Sequence, residues 1–217
     1  MIRAILFDLD GVLVDTDTLH YQAWKELADR LGISFTQEQG NRCRGISRMD
    51  SLEIVLEGAS RSYTQEEKET FAREKNARYQ QLLSALTPDH AAPGAHALLP
   101  ELRRRGYRLA LASGSKNAGL ILERTGLGQW LDAVADGNLI TRSKPDPEVF
   151  LTAAGLLGMS PHQCAAVDDA LAGVQAGRAA GMLTVGFGDA ALHQAGDYNV
   201  QALEQLLPLF PPLEGSL

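Results

Sequence analysis

The chain has 217 residues, with 20 Lys+Arg against 27 Asp+Glu and a formal net charge of −7 at pH 7. That balance disfavours the electrostatic attraction through which proteins hold nucleic acid non-specifically, and 45% hydrophobic with 22% charged residues excludes bulk disorder. The longest apolar runs, such as residues 109–112, fall far short of the ~20 residues a membrane-spanning helix needs, so no membrane partner is expected.

Residues 2–6 form a short apolar run broken only by Arg3, and it ends in Phe7-Asp8-Leu9-Asp10-Gly11. This reads as a central strand turning into a loop. The acids also interrupt any apolar export signal. Two cysteines, Cys43 and Cys164, stand in unrelated contexts and cannot form a disulfide framework, so a cytoplasmic location is expected. Cys43 lies between Arg42 and Arg44, which predicts a lowered thiol pKa, although both cysteines read as incidental.

Residues 15–86 contain no convincing strand and at least three helical segments. In the first, Ala23, Leu27 and Leu31 recur at helical spacing with His20 and Trp24, behind the capping groups of Asp15-Thr16-Asp17. A shorter helix covers 49–57. The third segment, 64–86, opens on the capping box Thr64-Gln65-Glu66-Glu67. Pro88, Pro93 and Gly94 then mark a return to the core. From there, apolar runs at 107–112, 132–135, 164–167 and 182–185 alternate with helical patterns at 95–105, 117–125, 147–157 and 170–180. Such alternation predicts an α/β fold, a doubly wound, Rossmann-like parallel sheet covered on both faces. Residues 1–14 and 87–217 are its core and 15–86 an inserted small helical domain. Beyond Gly188 only a helix ending before Pro208 is read.

In an open parallel sheet, ligands bind outside the carboxyl ends of the strands. The first strand delivers Asp8 and Asp10 there, the second Ser113-Gly114-Ser115-Lys116-Asn117, and the next Asp168-Asp169, with Lys144 arriving on the loop Ser143-Lys144-Pro145. Taken singly, a strand-end Asp is more often a turn or cap, and Lys144 a solvated charge; their joint arrival favours a site. Carboxylates crowded in one cleft raise one another's pKa unless a cation joins them, and oxygen-only ligands suit Mg2+. The metal set read here is Asp8, Asp10, Asp168 and Asp169. A carboxylate at such a site can accept a phosphoryl group, whose charge Lys144, Ser113 and backbone N–H groups would stabilise. Asp8, ending the rigid strand, is the natural nucleophile. Asp10, two residues along an extended chain, falls on the same side as general acid/base.

These motifs in this order resemble the haloacid dehalogenase superfamily of phosphotransferases, across the whole α/β core, and the inserted helices resemble the cap domain of one subgroup. Within it the β-phosphoglucomutase group is the most similar. That resemblance is carried by Asp15-Thr16, His20, Trp24, Arg44-Gly45-Ile46-Ser47-Arg48, Lys75-Asn76 and Ala112-Ser113-Gly114-Ser115-Lys116-Asn117. It implies interconversion of β-D-glucose 1-phosphate and D-glucose 6-phosphate through glucose 1,6-bisphosphate, by a monomer acting on a small sugar phosphate. Thr16, His20, Trp24, Arg44, Gly45, Arg48 and Lys75 would then bind substrate together with Ser113, Gly114, Ser115, Lys116 and Asn117. The residues agree, because a bisphosphate needs a second anion site, and Arg44 and Arg48 around Gly45 offer one unless they form only a solvated basic face. His20 would by default be a satisfied, partly buried histidine; the resemblance implies that it orients Asp10 when the cap closes. Trp24 reads as core or pocket wall.

Two departures stand out. Asp168-Asp169-Ala170 replaces the usual Glu-Asp-Ser, so the shortened first carboxylate is expected to reach Mg2+ directly or through water. Gly114 stands where Ala is common. Two other readings compete. One is a hydrolase of the same superfamily. The other is a phosphoacceptor signalling domain, which needs neither Asp10 nor the inserted helices.

Overall fold

The computed structural model describes residues 1–44 and 46–215, and it divides into two compact units. One comprises Met1–Asp15 with Thr87–Leu217, the other Thr16–Leu86.

The first unit is built on a parallel sheet of β1 (Ala4–Phe7), β2 (Arg108–Ala112), β3 (Ala133–Ala135), β4 (Cys164–Asp168), β5 (Leu183–Phe187) and β6 (Tyr198–Val200), in the order β3-β2-β1-β4-β5-β6. Strands covered on both faces have no polar side to alternate with. Accordingly every residue of β1 and β4 is buried. The larger connecting helices are α5 (Ala95–Arg104), α6 (Ala118–Thr125), α7 (Glu148–Leu157) and α8 (Leu171–Ala179). The sheet is doubly wound: β1 to β3 progress toward one edge and β4 to β6 toward the other. The direction therefore reverses between β1 and β4, the place where such sheets bind ligands. Register brings the strand ends level there, with Phe7 paired to both Leu111 and Val167.

The second unit holds α1 (Asp17–Arg30), α2 (Gln37–Arg42), α3 (Arg48–Leu56) and α4 (Gln65–Leu83). Trp24, Leu27 and Ala28 of α1 pack with Ile33, Phe35, Leu52, Val55 and Ala72 into its own core. The expected capping box starts α4: Thr64 Oγ1 accepts from the Glu67 amide at 3.2 Å, and the Thr64 amide donates to Glu67 Oε2 at 2.8 Å. Together these bonds satisfy amides that a helix start otherwise leaves without partners.

Several expectations change. The first strand runs over Ala4–Phe7 rather than 2–6. The short α2 was not read from the sequence, and neither was β6. The C-terminal α9 (Gly188–Leu192) and α10 (Leu206–Leu209) are also short, and α10 includes Pro208 instead of ending before it. Proline is tolerated there because the amides of a first turn have no intrahelical acceptor. Cys43 is corrected too. Burial pushes its thiol up, outweighing the nearby cations. Arg42 is engaged by Glu57 at 2.7 Å and Arg44 by Asp17, so neither is held for the sulfur. Among the described residues, no helix is long and apolar enough to cross a membrane.

Candidate active site

Asp8 follows the last residue of β1, is 8% exposed, and donates its amide to Val167 O at 2.9 Å. Its carboxylate meets the Lys144 ammonium, which also donates to Asp168 Oδ2 at 2.7 Å. Lys144 thus bridges acids from the two strands that flank the reversal point. Burial holds the Asp8 carboxyl well above the usual range; Lys144 opposes this, while Asp168, Asp169 and Asp10 add to it. Burial alone would lower the Lys144 pKa, but the Asp168 and Asp8 carboxylates outweigh it and raise it. The ammonium stays charged and lies 5.0 Å from the Phe150 ring centroid.

Asp10 lies beyond the strand, in an isolated bridge to Val14. The strand ends at Phe7, and residues 9–14 form a tight turn in which Leu13 N and Val14 N both donate to Leu9 O, at 2.9 and 3.0 Å. Gly11 takes φ +83, a conformation that favours glycine. A Cβ there would also lie 2.1 Å from Asp169 Oδ2, so that carboxylate rests directly on the Gly11 backbone. Asp10 lies within electrostatic reach of Asp8.

Asp168, 2% exposed, accepts from the Ala170 amide through Oδ1 at 3.0 Å, so each of its oxygens has a protein donor. Its carboxyl group lies over Gly173 of α8, where a Cβ would come within 2.0 Å of both oxygens. Ser113, 2% exposed, begins the loop after β2 and accepts from the Ser115 amide at 3.1 Å. Ser115 Oγ accepts from the amide of Asn117, the residue before α6, and Lys116 is exposed.

The other candidates belong to the helical unit. Thr16 precedes α1, is fully buried and accepts from Tyr79 OH at 2.9 Å. Lys75 on α4 is 3% exposed; its Nζ lies 2.9 Å from His20 Nδ1 and 4.6 Å from the ring centroids of both Trp24 and Tyr79. An ammonium can only donate, so Nδ1 accepts and the neutral ring carries its proton on Nε2. Burial, Lys75 and Arg48 hold His20 well below its usual pKa. Trp24 is 2% exposed within the helical core. Arg48 opens α3, and burial lowers its pKa; Arg44 is engaged by Asp17. Gly45 lies outside the described residues.

The donor chemistry of Asp8, Asp10, Asp168 and Asp169 suits a hard cation, since Asp8 meets one ammonium against three carboxylates within electrostatic reach. Among the described residues, however, no three His, Cys, Asp or Glu side chains are already gathered to ligate one. Lys144 stands between Asp8 and Asp168 instead. Sequence reading missed the supports. Gly137 N donates to Ser115 O at 3.2 Å, a Cβ on Gly137 would lie 2.2 Å from Gly114 O, and Asn138 Nδ2 donates to Lys116 O at 3.2 Å. The turn signal Asp136-Gly137-Asn138 was visible; its contact with the second loop was not.

Comparison with known proteins agrees with this architecture. A β-phosphoglucomutase of Bacillus subtilis is 40% identical over 213 residues, 94% of each chain. A fructose-1-phosphate phosphatase of Escherichia coli is 30% identical, covering 82% of this chain and 92% of its own. The crystal structure of a β-phosphoglucomutase from Clostridium difficile superposes with a TM-score of 0.89 at 37% identity, covering 95% of this chain and 94% of that one. Residues 2–181 match the haloacid dehalogenase-like hydrolases as a family, and with acids and a lysine at the reversal point of the sheet, the chain belongs to that family.

Proposed function

We propose that the protein is a Mg2+-dependent sugar-phosphate mutase interconverting β-D-glucose 1-phosphate and D-glucose 6-phosphate through an aspartyl phosphate on Asp8 and glucose 1,6-bisphosphate. The observation that carries the phosphoryl-transfer reading is the Lys144 ammonium set between Asp8 and Asp168 at the reversal point of the sheet. The 40% identity to the Bacillus subtilis mutase supports the choice of reaction.

An Asp8 carboxylate oxygen attacks the 1-phosphate of glucose 1,6-bisphosphate while the bond from phosphorus to the sugar O1 breaks, leaving glucose 6-phosphate. Asp10 gives that oxygen a proton, a contribution of about 10²–10⁴-fold. In the second half-reaction Asp10 takes a proton from the 6-hydroxyl of β-glucose 1-phosphate, which attacks the aspartyl phosphate and gives glucose 1,6-bisphosphate again with Asp8 free. Lys144 and the Ser113 hydroxyl face the charge on the transferring group. Mg2+ would be held by Asp8, Asp10 and Asp169, with Asp168 joining directly or through water, and would offset the carboxylate charge that raises the Asp8 pKa.

Residues 16–86 are assigned as the cap domain. Arg48, Arg44 and Gly45 would serve the second phosphate, and Thr16 and Trp24 the substrate's surroundings. Lys75 fixes the tautomer that lets His20 donate through Nε2. Gly114, Ser115, Lys116 and Asn117 would take sugar hydroxyls or phosphate oxygens at the start of α6. A second reading, sugar-phosphate hydrolysis with water attacking the aspartyl phosphate, is supported by the Escherichia coli phosphatase relative.

Mass spectrometry after mixing with acetyl phosphate and Mg2+ tests the common chemistry. One phosphoryl group should appear on the peptide containing Asp8 and vanish in Asp8→Asn; label elsewhere, or turnover by that variant, would contradict it.

A further inference from the structure

Lys144 belongs to no strand or helix, yet its ammonium is set between two carboxylates. Something must hold its loop. Glu148, the first residue of α7, turns its carboxylate back onto that loop. Oε1 accepts from the Thr141 amide at 3.1 Å and its hydroxyl at 3.2 Å; Oε2 accepts from the Arg142 amide at 2.8 Å and its Nε at 3.3 Å. The Glu148 amide donates to Asp146 Oδ1 at 3.0 Å, and the Asp146 amide to Ser143 O at 3.1 Å, so the connection is pinned on both sides of Lys144. The next two residues, Val149 and Phe150, are fully buried. Glu148 is therefore mounted on a fixed helix start.

We propose that Glu148 is a positioning residue, fixing the loop from Thr141 onward so that Lys144 Nζ stays between Asp8 and Asp168. The inference rests on Lys144 serving phosphoryl transfer, as assigned above. Glu148 touches no reacting atom; its effect passes through Lys144. An acidic residue in a first helical turn also favours the helix dipole, but that role would not depend on Lys144.

The experiment is a double-mutant cycle on the rate of phosphoenzyme formation from acetyl phosphate, which needs no sugar. Glu148→Ala should slow this step by about 10- to 100-fold, the scale of a displaced charged group. Glu148→Gln keeps one acceptor oxygen and should lose less. In the Lys144→Ala background, Glu148→Ala should change the rate by less than about 2-fold. Equal factors in both backgrounds, or no slowing by Glu148→Ala while Lys144→Ala is slow, would overturn the positioning role. An unimpaired Lys144→Ala enzyme would instead remove the assignment of Lys144. Thermal unfolding checks the fold; if Glu148→Ala is unfolded, Glu148→Gln carries the cycle, and additive losses there count against the proposal.

Discussion

Asp8 is buried beside one ammonium and within electrostatic reach of three other carboxylates; burial first, and then those carboxylates, push its pKa up, so an added cation would oppose the shift. Removing divalent cation with a chelator should therefore suppress acyl-phosphate formation, with activity restored by Mg2+ and not by added salt; full activity without the ion would remove the metal assignment. Glycines set the same carboxylates. Gly173→Ala would drive a methyl group into the Asp168 carboxyl, and a rate loss of about 10-fold or more on acetyl phosphate is expected, measured beside thermal unfolding. His20 predicts a pH effect of definite sign. Its pKa is depressed in the native state, while the unfolded chain takes a proton near 6.5. Acidification from about pH 7 to about pH 5 thus favours the unfolded state, and His20→Asn should lessen that acid-side loss of stability in urea titrations. The chemical types of these residues were legible in the sequence. Their fine placement was not: the rest of Asp168 on Gly173 depends on how α8 packs, and Asp10 depends on a turn that strand periodicity does not encode.

At the scale of elements, the loop after β2 is held from outside by the loop after β3. Gly137 lies against Gly114 and Ser115, and Asn138 holds the Lys116 carbonyl. Gly137→Ala should displace the loop and raise KM for β-glucose 1-phosphate several-fold more than KM for acetyl phosphate, as steady-state kinetics would read. Equal changes on both would assign the contact to folding alone. Apolar runs marked β1 to β5, helical spacing marked the larger helices, and the Thr64 to Glu67 box located the start of α4. The six residues of α2 are too few to show a period, and Tyr198-Asn199-Val200 of β6 is no apolar run. Their existence depends on what they pack against: β6 forms as the edge partner of β5.

For the whole molecule, the net charge of −7 conceals local order. Acids gather at the reversal point of the sheet around Lys144, while the helical unit buries Lys75 and partly buries Arg48. On the proposed reading, Asp8, Asp10, Ser113 and Lys144 make the aspartyl phosphate. Its fate, transfer to a sugar hydroxyl or to water, separates the two readings. The direct measurement supplies β-glucose 1-phosphate, Mg2+ and a trace of glucose 1,6-bisphosphate, and follows glucose 6-phosphate and free phosphate together. Stoichiometric glucose 6-phosphate with little free phosphate is predicted; phosphate release without isomerisation would contradict the mutase.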